Sequence, residues 1–268
     1  MQDPAVDNSL YRDAMIYDIL HTPGTAEELD ALERIAATFA PADTDPSRRL
    51  WVEPACGSGR LVRLAARRGI PSTGFDLNEG MIAYARGRAA KRTDPQRYRV
   101  ADMRTFVDDD ACRPGSATFV FNTINTFRHL MTDDDAAAHL EQVRAALRTG
   151  GAYAVGLNTT MYGCEQTVED VWSARRGSVG VTQTVQYIPP TGKHGGARIE
   201  RVISHLVIDR PSGESHVDST YALRTYSLKQ WLGLIEKSPL RLIGTTDDAG
   251  HPTPPAETGY RIYVLTGR

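Results

Sequence analysis

The chain has 268 residues, 24% of them charged and 41% hydrophobic, with a formal net charge of -2. That length admits one large domain with an insertion or two small ones, and the balance is that of folded rather than disordered or fibrous material. So small a net charge offers no bulk attraction to nucleic acid or to an anionic membrane. The opening MQDPAVDNSLYRD lacks the basic segment and apolar core of a signal peptide, and nowhere do eighteen apolar residues run together; a soluble, cytoplasmic protein is expected. Cys56, Cys112 and Cys164 are odd in number, far apart and without a C-x-x-C pair, which points to reduced thiols and to no metal site.

Two helices are expected first, at residues 8–22 and 25–40. The second opens with a capping box, Thr25 with Glu28, and shows an apolar face through Leu29, Leu32, Ile35 and Phe39. In the first, Tyr11, Met15, Ile16 and Leu20 form a face, which leaves Tyr17, Asp18 and His21 to look elsewhere. Residues 50–65, LWVEPACGSGRLVRLA, then read as strand, glycine turn and helix. Gly57 and Gly59 allow positive φ and let a ligand approach a backbone that carries no Cβ. The following helix aims its free N–H groups and positive dipole end at that turn. A dinucleotide fingerprint needs a third small residue where Val62 stands, and Glu53, four residues before the first glycine, disfavours a pyrophosphate and favours a cation.

Past Gly69, IPSTGFDL forms a second strand ending at Asp76, whose carboxylate can accept from both hydroxyls of a ribose. A helix from residue 78 or 79 to about residue 92 turns Met81, Ala85 and Ala89 inward. RYRVADM is a third strand leading to Asp102 and Met103, a hydrogen-bond acceptor beside an apolar group, as an adenine requires. SATFVFNTINTFRHL supplies a fourth strand and its exit loop. There Asn122, Thr123, Asn125 and Thr126 are turn formers, but they stand beyond a strand's carboxyl end, where open α/β sheets bind ligands. His129 is the imidazole nearest to them in sequence. Thr132 with Asp135 starts a helix that buries Ala136, Leu140, Val143 and Leu147; Gly150 caps it and a fifth strand follows.

Residues 159–226 break the alternation. VTQTVQYI, ARIERVISHLVID and ESHVDSTYALRTY predict three antiparallel strands separated by Pro and Gly turns. In the last, Val217, Tyr221 and Leu223 alternate with His216, Asp218, Arg224 and Tyr226. Such a sheet either walls an acceptor pocket or serves as a surface or homodimer contact. YSLKQWLGLIEK returns to helix, capped by Ser227 with Gln230, and RLIGTTD and RIYVLTGR pair as a final hairpin.

Glu53-x-x-x-Gly57-x-Gly59, Asp76, Asp102–Met103 and the helix, double-glycine, strand passage at Gly150 resemble class I S-adenosylmethionine (SAM) methyltransferases over residues 45–158 and 227–268. The inserted sheet and amino-terminal helices are more loosely similar to glycine and amino-sugar N-methyltransferases. The resemblance implies an α/β, seven-stranded Rossmann-like methyltransferase fold of order 3-2-1-4-5-7-6, last strand antiparallel, with an inserted antiparallel β-sheet. It divides the chain into a helical cap, 1–44, a SAM-binding core, 45–158 with 227–268, and a substrate-side lid, 159–226. It implies SAM as cofactor and S-adenosyl-L-homocysteine as product, held by Glu53, Ala55, Gly57, Gly59, Arg60, Asp76, Leu77, Met81, Asp102, Met103 and Asn122. The implied partner is a small-molecule acceptor, methylated at N or O, with Tyr11, Tyr17, Asn125, Arg224 and Tyr226 as binding candidates and His129 and Asn122 as catalytic ones. Ala55 and Thr149 depart from the family's usual glycine and proline. EPACGSG is also similar to nucleic-acid adenine methyltransferases, but FNTIN stands where their Asn/Asp-Pro-Pro-aromatic motif belongs, and no basic target-recognition region is present. A SAM-binding protein without catalysis stays open; an NAD-linked oxidoreductase is opposed by Glu53 and the terminal strand pair.

Overall fold

Helix and strand alternate through the described residues, 12–89, 97–192 and 195–268 of a computed structural model, until a block of antiparallel strands interrupts them. Tyr11 and the start of the expected first helix lie outside the described residues. Asp13 caps α1 (Ala14–His21) by accepting from the Met15 and Ile16 amides. The apolar face is Ile16, Ile19 and Leu20, whereas Met15 is exposed. The capping box expected for α2 (Thr25–Phe39) does not form. Gly24 precedes the helix with φ 79, the Thr25 hydroxyl donates back to the Thr22 carbonyl, and Glu28 turns to Arg60.

The core then runs β1 (Trp51–Pro54), α3 (Arg60–Arg67), β2 (Ser72–Asp76), α4 (Glu79–Ala89), β3 (Arg97–Val100), β4 (Ala117–Asn122), α5 (Asp133–Ala146) and β5 (Leu147–Thr159). After the insertion come α6 (Leu228–Lys237), β10 (Leu240–Thr246) and β11 (Gly259–Gly267). The seven strands lie in the order β3-β2-β1-β4-β5-β11-β10, with β11 antiparallel to both its neighbours, as the resemblance implied. Strand alternation sends successive side chains to opposite faces. Trp51, Phe119, Phe121 and Ile262 pack under α2 and α3, while Val52, Val120, Tyr153 and Tyr263 pack under α5 and α6. Thr132 caps α5, and Ser227 with Gln230 forms the capping box of α6. Gly150 does not cap α5: the helix ends at Ala146, and Gly150, φ 78, sits where the pairing of β5 with β4 shifts register.

The insertion holds four strands rather than three, β6 (Val168–Arg176), β7 (Val179–Ile188), β8 (Ile199–Arg210) and β9 (Gly213–Arg224), paired in sequence order. β6 escapes notice because VEDVWSARR lies at an edge, is largely exposed and shows no clean apolar alternation. Contacts on both sides hold this sheet to the core. Ile16, Ile19 and Leu20 of α1 pack on Val181, Leu206 and Ile208. On the other side, Arg128 in the exit turn of β4 donates to the Arg224 carbonyl at 2.9 Å and to Glu200 Oε2 at 2.7 Å. Removing one member of a buried ion pair leaves the other without compensation. Glu200→Gln is therefore expected to lower the unfolding free energy by about 3 kcal/mol in denaturant melts, and a change under about 0.5 kcal/mol would show that the pair does not anchor the sheet.

Candidate functional site

The carboxyl ends of β1, β2, β3 and β4 meet along one edge of the sheet, and the strand order reverses between β1 and β4. Beyond that edge the backbone of residues 55–59 turns sharply, with φ of 51 at Ala55, 53 at Gly57 and 71 at Gly59. A Cβ on Gly57 would lie 3.2 Å from Cε1 of Tyr17, and one on Gly59 would lie 2.5 Å from Cε1 of Tyr98. The Tyr17 ring therefore roofs the turn. The Gly57 amide donates to Asp76 Oδ2 and the Asn78 amide to Asp76 Oδ1, both at 2.8 Å. These bonds hold the Asp76 carboxylate at the end of β2, and burial pushes its pKa up against their pull.

Two cavities open from the turn. The first, about 590 Å³, is lined by Ala55, Gly57, Asp76, Leu77, Met81, Asp102 and Met103, with Leu130 and Met131 joining the apolar wall. The second, about 530 Å³, lies between the turn, α1, the exit loop of β4 and the inserted sheet. Tyr17, Ala55, Thr126 and His129 border both. Glu53, at the end of β1, faces the second cavity. Its Oε2 is buried and has no hydrogen-bond partner among the described residues; burial raises its pKa well above the ordinary carboxylate value, opposed by the Arg60 charge. Arg60 lines the second cavity rather than the first, donates to the Thr25 hydroxyl at 3.2 Å and pairs with Glu28 at 2.5 Å.

Four expectations need correction. Asn122 is buried, its Nδ2 donating to the Pro54 carbonyl at 2.6 Å and its Oδ1 accepting from Tyr153 at 2.9 Å, so it braces the strand ends and lines neither cavity. Tyr226 is fully buried against Phe127 and Trp231, outside both cavities. It lies just past β9, where the strand alternation no longer applies. Arg224 donates to the Met131 carbonyl at 2.6 Å and to Asp133 at 2.9 Å and likewise lines neither cavity. Asp102 lines the first cavity, but Arg104 donates to its carboxylate through its amide, Nε and Nη2, which lowers the Asp102 pKa and occupies the oxygens an adenine amine would need. Asn125 does line the second cavity, with its Oδ1 accepting from the Asn158 amide at 2.7 Å. Sequence reasoning missed Glu28, whose capping-box spacing suggested a purely local role, and the inserted-sheet wall of Trp172, Gln183, Tyr187 and Tyr221. Gln183 donates to Ser204 at 2.6 Å and leaves a buried Oε1 without a partner among the described residues.

Residues 52–151 match a family model described as a methyltransferase domain. No curated protein matches the chain. Among solved structures, DesVI of Streptomyces venezuelae is 17% identical with a TM-score of 0.72, over 95% of this chain and 98% of that one. The sugar N-methyltransferase KedS8 of Streptoalloteichus sp is 16% identical with a TM-score of 0.65, over 100% and 96%. SAM-bound CalS10 of Micromonospora echinaspora, an amino pentose methyltransferase, is 18% identical with a TM-score of 0.65, over 100% of both chains. Residues 52–151 therefore match a methyltransferase domain, and the strand order of the whole chain is that of the methyltransferase fold.

His21, His129 and His139 are each pushed down to about 4 by burial. His139 is fully buried and His21 half-buried, whereas the His129 ring is exposed toward the two cavities. Unfolded imidazoles titrate near 6.5, so between about pH 4 and 6.5 the unfolded chain binds more protons than the folded one. The contribution of His21 and His139 to stability is complete above pH 6.5 and is lost as pH falls toward 4. Ring titration by NMR is expected to show midpoints near 4 for His21 and His139; midpoints above 6 would contradict their burial. A second expectation concerns Ala55, whose positive φ strains an L-residue. Ala55→Gly should raise thermal stability by about 1 kcal/mol, and a loss would show that the methyl packs usefully.

Proposed function

We propose that this protein transfers a methyl group from SAM to a nitrogen of a small, hydroxyl- and amine-rich acceptor of the amino-sugar kind. The observation that carries the reading is the pair of cavities meeting at Tyr17, Ala55 and His129, one suited to a nucleoside and the other to an acceptor. Among the described residues, the unpartnered Glu53 Oε2 suits the ammonium of a methionine group, and the left-handed turn at Gly57 and Gly59 lies beside it, packed closely against Tyr17 and Tyr98. Asp76 suits a ribose and Leu77, Met81 and Met103 suit an adenine, while Asp102 can serve the adenine amine only where Arg104 gives way.

SAM supplies a sulfonium methyl: its carbon–sulfur bond breaks as a carbon–nitrogen bond forms, and the bonding pair stays on sulfur. The protein has little new charge to stabilise, so alignment dominates, a term able to supply roughly 7 to 11 kcal/mol. A positioned base adds about 10²- to 10⁴-fold, and this site is poorly equipped for one. His129, at about 4, has little affinity for a proton, and Tyr17, at about 12, is a protonated phenol at neutral pH. An alcohol acceptor needs a base; an amine needs only to be unprotonated, which an enclosed cavity favours by desolvation. Trp172, Tyr187 and Tyr221 offer aromatic surface to a sugar ring, and Gln183 Oε1 offers an acceptor to its donors. The names of the structural neighbours KedS8 and CalS10 support a sugar amine.

Calorimetric titration with SAM, S-adenosylhomocysteine and NAD tests this directly: micromolar binding of both sulfur nucleotides and none of NAD is expected, and NAD binding alone overturns the reading. Asp76→Ala is expected to weaken SAM binding by about tenfold or more, the loss of charge-assisted bonds to two hydroxyls. An unaltered affinity would remove Asp76 from the cofactor site.

A further inference from the structure

A carboxylate with no exposure sits beside the cofactor turn and outside the lining of both cavities. Asp18 of α1 accepts from Ser58 Oγ at 2.7 Å, from Arg63 Nη2 at 2.7 Å and from the Tyr84 hydroxyl at 3.0 Å, and pairs with Arg176 Nη2 at 2.8 Å. Each partner comes from a different element. Ser58 lies between Gly57 and Gly59, Arg63 is on α3 and also donates to the Ser58 carbonyl, Tyr84 is on α4, and Arg176 ends β6 of the inserted sheet. Arg176 donates further to Tyr84 at 3.1 Å and to the Thr22 hydroxyl at 3.0 Å. Burial alone would raise the Asp18 pKa, but Arg63 and the hydrogen bonds from Ser58, Arg63 and Arg176 bring it below its ordinary value, so the group is charged.

The geometry around α1 gives this cluster a task. Ile16, Ile19 and Leu20 bind the helix to the inserted sheet by apolar contact, which is non-directional and permits sliding. The bonds of Asp18 are directional and end on the turn itself. They set the height at which the neighbouring Tyr17 ring lies against Gly57. We propose that Asp18 is a positioning residue that holds the cofactor turn, α1 and the inserted sheet in one register, and that Arg176 thereby couples the acceptor wall to cofactor affinity. Arg176 lines neither cavity, so its influence on a nucleotide passes through the groups it bonds, Asp18 with Tyr84 and Thr22, of which Asp18 alone bonds to the turn.

The proposal rests on the SAM reading, and S-adenosylhomocysteine is the probe. It is titrated into the wild type, Arg176→Ala, Arg176→Lys and Arg175→Ala, with hydrogen exchange followed at residues 57–59. Arg175 is the control: it is the next residue of β6 and pairs with exposed Asp209 at 2.6 Å. Arg176→Ala is expected to weaken binding by about 3- to 30-fold and to speed exchange at the turn, the usual range for a residue that modulates coupling without touching a ligand. Arg176→Lys restores part of the affinity, because an ammonium reaches one carboxylate oxygen, and Arg175→Ala changes nothing. Should Arg176→Ala fail to fold, Arg176→Gln, which removes the charge and keeps much of the bulk, carries the same expectation. Affinity within about twofold of wild type in a folded Arg176→Ala or Arg176→Gln overturns the coupling. A wild type that binds no S-adenosylhomocysteine overturns the SAM reading itself.

Discussion

Everything in this molecule is arranged around two α-carbons that have no room for a side chain. Gly57 lies under the Tyr17 ring and Gly59 against the Tyr98 ring, both in the left-handed region. Because the backbone can turn there without a Cβ, α3 starts abruptly and its amino terminus faces the cavities. The same turn presents the Gly57 amide to Asp76, which ties β1 to β2 at the edge where ligands of open α/β sheets bind. A bulkier residue at either position would displace the roof or the floor.

The two buried carboxylates near that turn show how differently one fold can use a charge. Asp18 is satisfied four times over by the protein and serves to hold elements together. Glu53 keeps an oxygen without a hydrogen-bond partner among the described residues, facing the second cavity. A buried polar atom without a partner is costly in the empty protein, and a ligand that brings a cation or a donor recovers that cost on binding. The contrast separates structure from function among residues of the same chemical type.

The second cavity is built by another logic. The inserted sheet contributes aromatic rings and one amide, α1 and the exit loop of β4 contribute imidazole and phenol groups, and α2 and β1 contribute the carboxylates of Glu28 and Glu53. In that loop Ile124 and Asn125 both take positive φ, and a β-branched residue in the left-handed region is strained. Bonds from the Ile124 amide to the Tyr260 hydroxyl and from the Asn125 amide to the Gly156 carbonyl hold the loop in place. His129 thus sits at the join of the two cavities because tertiary contacts impose its backbone path.

Local physics made much of this legible in the sequence. Although the strand order came only from the resemblance to class I SAM methyltransferases, strand alternation, helical spacing, the Thr132 and Ser227 caps and the glycine turn depend on neighbours within a few residues, so most elements could be read in the sequence. Residues whose roles depend on distant partners could not. Glu28 has the spacing of a capping box, but Arg60 claims it across the structure. Asn122 and Tyr226 stand where a binding residue might, but Tyr153, Phe127 and Trp231 enclose them. β6 carries no apolar rhythm and exists because β7 offers it an edge to pair with. Asp18 appears in the sequence as one more polar residue on a helix; only packing four elements around it makes it a buried hub, since desolvation and pairing are properties of the assembled fold.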